Sequence, residues 1–222
     1  MKSDVTIQLL NLSKSASNFC VGMEGNISGK INKTNFLIKA SGSKLSNLTE
    51  NDLLEFNFNG VKISETDKQP SMEIGFHTYL LEFNDINFVS HTHPVNTLKI
   101  LCSNNSIEFG QKRLFPDQII FNGPKSCFVP YVMPGDKLNS SIRKSVETFI
   151  NNEGTLPSLI LLENHGIITI GKTIDECIIS TEICEKSAEI FNGLNNPKFL
   201  SLDEINEIQS DKKEKYRKSL LQ

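Results

Sequence analysis

An α/β fold, with a mixed or antiparallel sheet flanked by helices, is the class this sequence predicts, and three observations predict it. Short β-type apolar runs alternate with longer stretches of helical periodicity. Their order is not the strict strand–helix–strand alternation of a parallel sheet, and several runs are joined by turn residues in the manner of hairpins. No linker divides the chain, and its 222 residues suffice to bury a substantial core, so residues 1–222 are expected to form one domain.

Taken in order, Val5, Leu9, Leu12, Ala16 and Phe19 recur at spacings of four and three, the stripe of an amphipathic helix that opens the chain. GMEGNISGKI breaks it with Gly22, Gly25 and Gly29, and NISGKI and NFLIKAS read as two strands around the turn-forming NKTN. In LTENDLLEF, Thr49 followed three residues later by Asp52 is a capping signal for a short helix, and FNFNGVKIS reads as another hairpin. Beyond the polar loop ETDKQP, Ser71 is placed to cap a helix MEIGFHTYLLEF, after which INFVS is a short strand running into His91. VNTLKILCS reads as helical, DQIIF and SCFVPY as extended. KLNSSIRKSVETFI sets Leu138, Ile142, Val146 and Ile150 on one face of a long helix ending near Gly154. SLILLENHGIITIG is two apolar strands joined by ENHG. TIDECIISTEICEKSAEIF returns to helical spacing through Ile174, Cys177, Ile178, Cys184 and Ala188, and Ser201 with Glu204 forms a capping box for a charged last helix.

Composition excludes several partners. A net charge of -3, with lysines scattered among acids, provides no basic face for tracking a phosphate backbone, so no nucleic acid is expected. Five cysteines, an odd number without a CxxC pair, fit reduced thiols in a cytoplasmic protein, with Cys177 and Cys184 as core residues of one helix. The opening MKSDVTIQLL lacks the apolar centre of a signal peptide, and no run approaches the roughly 20 apolar residues of a spanning helix, so no membrane is expected.

Of the four histidines, His91 and His93 are separated by one residue. If INFVSHTH continues as a strand, both imidazoles point to one face. His165 sits in ENHGI, where a tight turn between two buried strands pushes a ring out at the sheet end. Three neutral imidazoles suit a borderline-soft divalent ion such as zinc and leave a coordination position open, as catalysis requires. The residues alone leave the alternative of polar histidines at strand ends open.

GNIS, LIKASGSKLSNLTENDLL, QPSMEIGFH, VSHTHP and LLENHGIITIG occur in this order, and the succession resembles that of the class II aldolase/adducin family from about Gly22 to Gly171. The family includes zinc-dependent fuculose- and rhamnulose-phosphate aldolases, ribulose-phosphate 4-epimerases and methylthioribulose-phosphate dehydratase. The resemblance implies a mostly antiparallel sheet flanked by helices, a homo-oligomer of four chains, and His91, His93 and His165 as ligands of zinc or another divalent transition metal. IKASG and LFPDQ look closer to sugar aldolase modules fused to dehydrogenase domains than to fuculose-phosphate aldolase.

Glu73 falls where aldolases of this family carry their catalytic glutamate. Aldol cleavage passes through an enediolate that must gain or lose a proton on carbon, which a carboxylate beside a Lewis-acidic ion can shuttle. By the same resemblance Asn26, Ser41, Gly42 and Ser71 hold a substrate phosphate through backbone and hydroxyl donors. Met72 departs from the pattern, standing where a second serine is common. Lys44 either compensates for the lost hydroxyl or is a solvated loop lysine. His77, four residues past Glu73, reads as a packing or hydrogen-bonding histidine. Asp117 and Tyr131 lie in the region from which family members send acid/base groups into a neighbouring subunit's site; a turn aspartate and an interface tyrosine are the plainer readings. The implied activity is metal-dependent carbon–carbon bond cleavage or formation on a sugar phosphate or related hydroxyketone. Its rivals are a 4-epimerase or dehydratase on the same site and an adducin-like binding module without catalysis.

Overall fold

The computed structural model describes residues 2–220. The opening stripe forms α1 (Lys2–Ala16), which buries Val5, Leu9, Leu12 and Ala16 and runs into a 3-10 turn (Ser17–Phe19). β1 (Asn26–Lys30) and β2 (Asn35–Lys39) form the expected hairpin. The Thr49–Asp52 capping box is present, but it caps a single 3-10 turn (Glu50–Asp52) before the chain extends into β3 (Leu53–Asn57). The second hairpin is reduced to one bridge between Phe56 and Lys62.

α2 (Ile74–Leu81) starts later than a Ser71 cap would place it: Glu73 occupies the N-cap position, and Ser71 Oγ accepts the Glu73 N–H at 3.3 Å within the preceding turn. Burying Phe76 and Leu80 contributes roughly 1.5–3 kcal/mol each, which holds a helix too short to persist alone. β4 (Phe88–Thr92) and α3 (Val95–Leu101) follow as expected, then α4 (Ser106–Gln111), which the sequence reading did not anticipate.

DQIIF is not extended. It lies in α5 (Pro116–Asn122), with Phe115 as an extended N-cap and Pro116 in the first turn. Proline presets φ for that position and lacks the N–H that a helix start leaves unpaired. Ile119 and Ile120 are both buried, in a helix packed on its helical neighbours, so tertiary burial overrides their β-branched preference. β5 (Cys127–Val129) precedes α6 (Asp136–Glu153), which buries Leu138, Ile142 and Val146 and stops at Gly154 in the left-handed region, φ 72°. β6 (Leu159–Leu162), β7 (Gly166–Gly171) and α7 (Ile174–Gly193) follow the expected pattern. The Ser201–Glu204 box starts α8 (Leu202–Ser210), but the charged stretch breaks at Asp211 and resumes as α9 (Lys212–Ser219). Residues 221 and 222 of that stretch lie outside the described residues.

The strands form one seven-stranded sheet in the order β3-β2-β1-β4-β7-β6-β5. Every neighbouring pair is antiparallel except β5 with β6, as the resemblance implies. Strand alternation sends Phe36, Ile38, Val89 and Ile168 to one face, against Phe76 and Leu80 of α2 and Leu138 and Ile142 of α6. The other face packs Ile27, Leu37 and Phe88 on α1, and Leu159 and Ile167 on Ile100 of α3 and Cys184 of α7. The result is an α/β/α arrangement with β4 at its centre. All five cysteines are unpaired, with Cys177 and Cys184 buried on α7. No helix among the described residues is long and apolar enough to cross a membrane.

Candidate metal and proton-transfer site

Antiparallel pairing of β1 with β4 sets Asn26 directly opposite His91, so both side chains leave the sheet on the same side. That side is the one Val89 shares with α2, because residues two apart on a strand face the same way. Strand pairing ends at Thr92. His93 is held one residue further on by its N–H, which donates to Phe19 O at 3.0 Å at the close of the first helical segment. His165 arrives from the turn between β6 and β7, where Asn164 takes a positive φ of 53° and the His165 N–H donates to Leu162 O at 3.1 Å. The approach is close enough to require glycine at 166: a Cβ there would lie 2.6 Å from Thr92 O and 2.7 Å from His93 Cδ2.

One nitrogen from each of His91, His93 and His165 lies within 4.8 Å of the other two. His91 is 1% exposed, and its Nδ1–H donates to Ile167 O at 2.8 Å, which aims Nε2 into the cluster. His93 turns Nδ1 toward Glu24 Oε2 at 3.6 Å and its Nε2 toward that of His91 at 3.0 Å. Burial, with the neighbouring His91 and His165, pushes His93 down to about 3, and burial with His91 pushes His165 down to about 4; Glu73 pulls the other way in both. Both rings are therefore neutral near pH 7. Three imidazole nitrogens converging on one point are the donor set that a divalent transition ion takes, so these residues fit such an ion.

Glu73, 7% exposed, closes the cluster. Its Oε2 lies 3.4 Å from His91 Nε2 and its Oε1 3.4 Å from His165 Nε2. The Asn26 amide donates to Oε2 at 2.6 Å and to Ser71 Oγ at 3.1 Å. Burial pushes the carboxyl up, but His91, the Asn26 hydrogen bond and His165 outweigh it and the net shift is downward, so Glu73 is ionised at neutral pH.

The fold thus brings Asn26, Ser71, Glu73, His91, His93 and His165 together. Ser41 and Gly42 follow β2 on a loop stitched to the segment before Ser71, through the Ala40–Pro70 bridge and the Ser41 N–H donating to Gln69 O at 2.8 Å. Gly42 has φ 79°, and Lys44 is exposed. Met72 is 76% exposed and brings no hydroxyl. Asp117 pairs with Arg217 of α9, and Tyr131 is 53% exposed, its N–H donating to Glu163 Oε2 at 2.9 Å. The contacts of the histidine–Glu73 cluster among the described residues include neither.

Lys39, at the end of β2, is only 2% exposed, which its residue type does not predict. Burial pushes its ammonium down, while Cys20, Asp52 and Glu73 pull the other way. A lysine ending an otherwise apolar strand run was the available signal.

The sequence profile of the Class II Aldolase and Adducin N-terminal domain matches residues 7–191. An L-fuculose phosphate aldolase of Methanococcus maripaludis is 30% identical over 179 residues, 80% of this chain and 89% of that protein. A 3-oxo-tetronate 4-phosphate decarboxylase of Escherichia coli is 28% identical over 200 residues, 86% of this chain and 88% of that protein. The solved structure of YgbL from Klebsiella pneumoniae superposes with a TM-score of 0.77 at 23% identity, covering 94% of this chain and 99% of that one.

Proposed function

This chain belongs to the class II aldolase and adducin family, and from that membership we propose that it is a metal-dependent aldehyde-lyase, cleaving or forming a carbon–carbon bond in a sugar phosphate or related hydroxyketone. The observation that carries the reading is the buried Glu73 carboxylate lying 3.4 Å from a ring nitrogen of both His91 and His165. His91, His93 and His165 would hold zinc or another divalent transition ion, which supplies Lewis-acid stabilisation of negative charge developing on a substrate oxygen.

The residues of the chain do the rest. Glu73, ionised and partly desolvated, accepts the proton from the carbon that becomes nucleophilic, or returns it. Asn26 holds Oε2 of that carboxylate, leaving Oε1 to face the substrate. Ser71, two residues before Glu73, and the Ser41–Gly42 turn offer donors to an anionic substrate end, with Lys44 as an exposed cation. One helix start then sets the distance between the anionic group and the reacting carbon. In this reading Asp117 and Tyr131 act from a neighbouring copy in a homotetramer; the 53% exposure of Tyr131 supports that assignment.

The similarity to a 3-oxo-tetronate 4-phosphate decarboxylase favours a second reading, decarboxylation of a sugar-acid phosphate, which places the same developing charge beside a carbonyl. Incubating metal-loaded protein with a panel of ketose phosphates and oxo-acid phosphates tests both. Retro-aldol fragments support the aldolase, carbon dioxide release supports the decarboxylase, and an isomer or a water-loss product overturns both.

A further inference from the structure

His77 is fully buried, stacked on Phe76 at 4.6 Å between ring centroids, and takes no part in the cluster of ligating nitrogens. Its Nδ1 lies 2.6 Å from Ser28 Oγ, and its Nε2 meets Asn26 Oδ1. Ser28 and Asn26 are two residues apart on β1 and so face α2 together. The carboxamide held in this way is the one whose NH2 group donates to Glu73 Oε2 at 2.6 Å and to Ser71 Oγ at 3.1 Å.

From this chain of contacts we infer that His77 is a positioning residue, locking the Asn26 carboxamide with its NH2 group toward Glu73. The inference rests on the reading of Glu73 as proton carrier for its catalytic meaning. The hydrogen-bond logic is independent of it. The Asn26 amide oxygen can only accept, so the facing Nε2 carries the hydrogen. Nδ1 of the neutral ring is then an acceptor, and the Ser28 hydroxyl donates to it. A rotated Asn26 amide would set NH2 against Nε2–H and its oxygen against the Glu73 carboxylate, turning the bonds to His77 and Glu73 into two repulsions and removing the NH2 donor from Ser71 Oγ. His77 excludes that rotamer. A donor that always faces Oε2 keeps the carboxylate at one angle to His91 and His165, with Oε1 on the His165 side. Asn26 and Glu73 touch only because β1 pairs with β4 while α2 lies across them, so His77 ties helix to sheet at the reacting group.

The test combines a spectrum with a mutant cycle. In wild-type protein, nitrogen–proton correlation spectra of His77 should show one neutral tautomer with the hydrogen on Nε2; a hydrogen on Nδ1, or both tautomers, overturns the inference. His77→Phe, which keeps the packing on Phe76, should lower kcat roughly 10- to 100-fold, the usual scale for losing a residue that orients a site group, with metal content unchanged and KM changed less. In an Asn26→Ala background the same substitution should cost almost nothing further, because its effect runs through Asn26. Losses that multiply independently overturn the inference. His77→Gln, whose amide N–H reaches where Nε2–H lies, should recover most of the rate. Should His77→Phe fail to fold, the wild-type spectrum and His77→Gln decide. A wild-type protein that shows the Nε2–H tautomer but yields no retro-aldol products would remove the aldolase reading and leave the orientation of Asn26 standing.

Discussion

The Nε2 atoms of His91 and His93 face each other at 3.0 Å, and each belongs to a ring whose Nδ1 is turned to an oxygen, Ile167 O for one and Glu24 Oε2 for the other. A cation set between them would be held by both rings at once. His165 completes the set. We expect about one divalent ion per chain, the count for a site with a single open position. His93→Ala should lose most of it while circular dichroism is unchanged, because a catalytic site adds less folding energy than a structural one. Elemental analysis showing equal metal in variant and wild type would remove the site.

Glu73→Gln preserves shape and the ability to hydrogen-bond while removing the titratable group. Metal content should be nearly unchanged and turnover should fall by roughly 10²–10⁴, the scale for losing a positioned acid/base group. Solvent-deuterium exchange into the ketose fragment should fall in parallel. Exchange at the wild-type rate would assign the proton to another group, with Asp117 and Tyr131 next in line.

Ser71 Oγ is already held by the Asn26 amide at 3.1 Å and the Glu73 N–H at 3.3 Å, so its hydroxyl hydrogen is available to a substrate anion. Ser71→Ala should raise KM more than it lowers kcat if the contact is equal in ground and transition states, and sulfate should compete with substrate. Lack of competition by sulfate or phosphate would point to an unphosphorylated substrate.

Asp52 fastens the loop that carries Ser41 and Gly42: it accepts from Ser43 Oγ at 2.7 Å, Thr49 N at 3.0 Å and Lys68 Nζ at 2.8 Å. Burial pushes its carboxyl up, but the hydrogen bonds from Lys68, Ser43 and Thr49 outweigh it and hold it well below the usual carboxylate range. The folded protein therefore binds this proton less readily than the unfolded chain. The stabilisation is complete above the unfolded value near ~3.9 and is lost as pH falls through the lower folded value. Asp52→Asn should cost about 1–2 kcal/mol in urea unfolding at neutral pH, the scale of a lost helix cap. The gap should close in acid; an equal gap at both extremes would show that charge is not involved.

Arg113, 0% exposed, donates to Gly123 O at 2.7 Å, Gly110 O at 3.2 Å, Lys112 O at 2.8 Å and Ser126 Oγ at 3.0 Å. One guanidinium thus ties α4, α5 and the start of β5 together. Arg113→Ala strands several buried acceptors, each costing about 1–3 kcal/mol, and should lower the unfolding free energy by at least about 3 kcal/mol. Arg113→Lys should recover only part of it, because an ammonium lacks the planar fork. A loss under about 1 kcal/mol would mean that solvent reaches these carbonyls.

The sequence by itself determined what short-range periodicity and composition can determine. The stripe Val5–Ala16 is α1, Leu138, Ile142 and Val146 are the buried face of α6, and ENHG is the turn between β6 and β7. The one-residue spacing of His91 and His93 already marked a pair of converging rings. Only the tertiary structure decided that DQIIF is helical, that Lys39 is buried, and that His77 touches Asn26. The contact between Glu73 and Asn26 spans 47 residues, and the pairing that opposes Asn26 to His91 depends on the register of two strands separated by the whole of β2, β3 and α2. Such registers are set by which faces of the sheet must bury apolar side chains against α1, α2, α6 and α7 at once, a condition that no local window of residues contains.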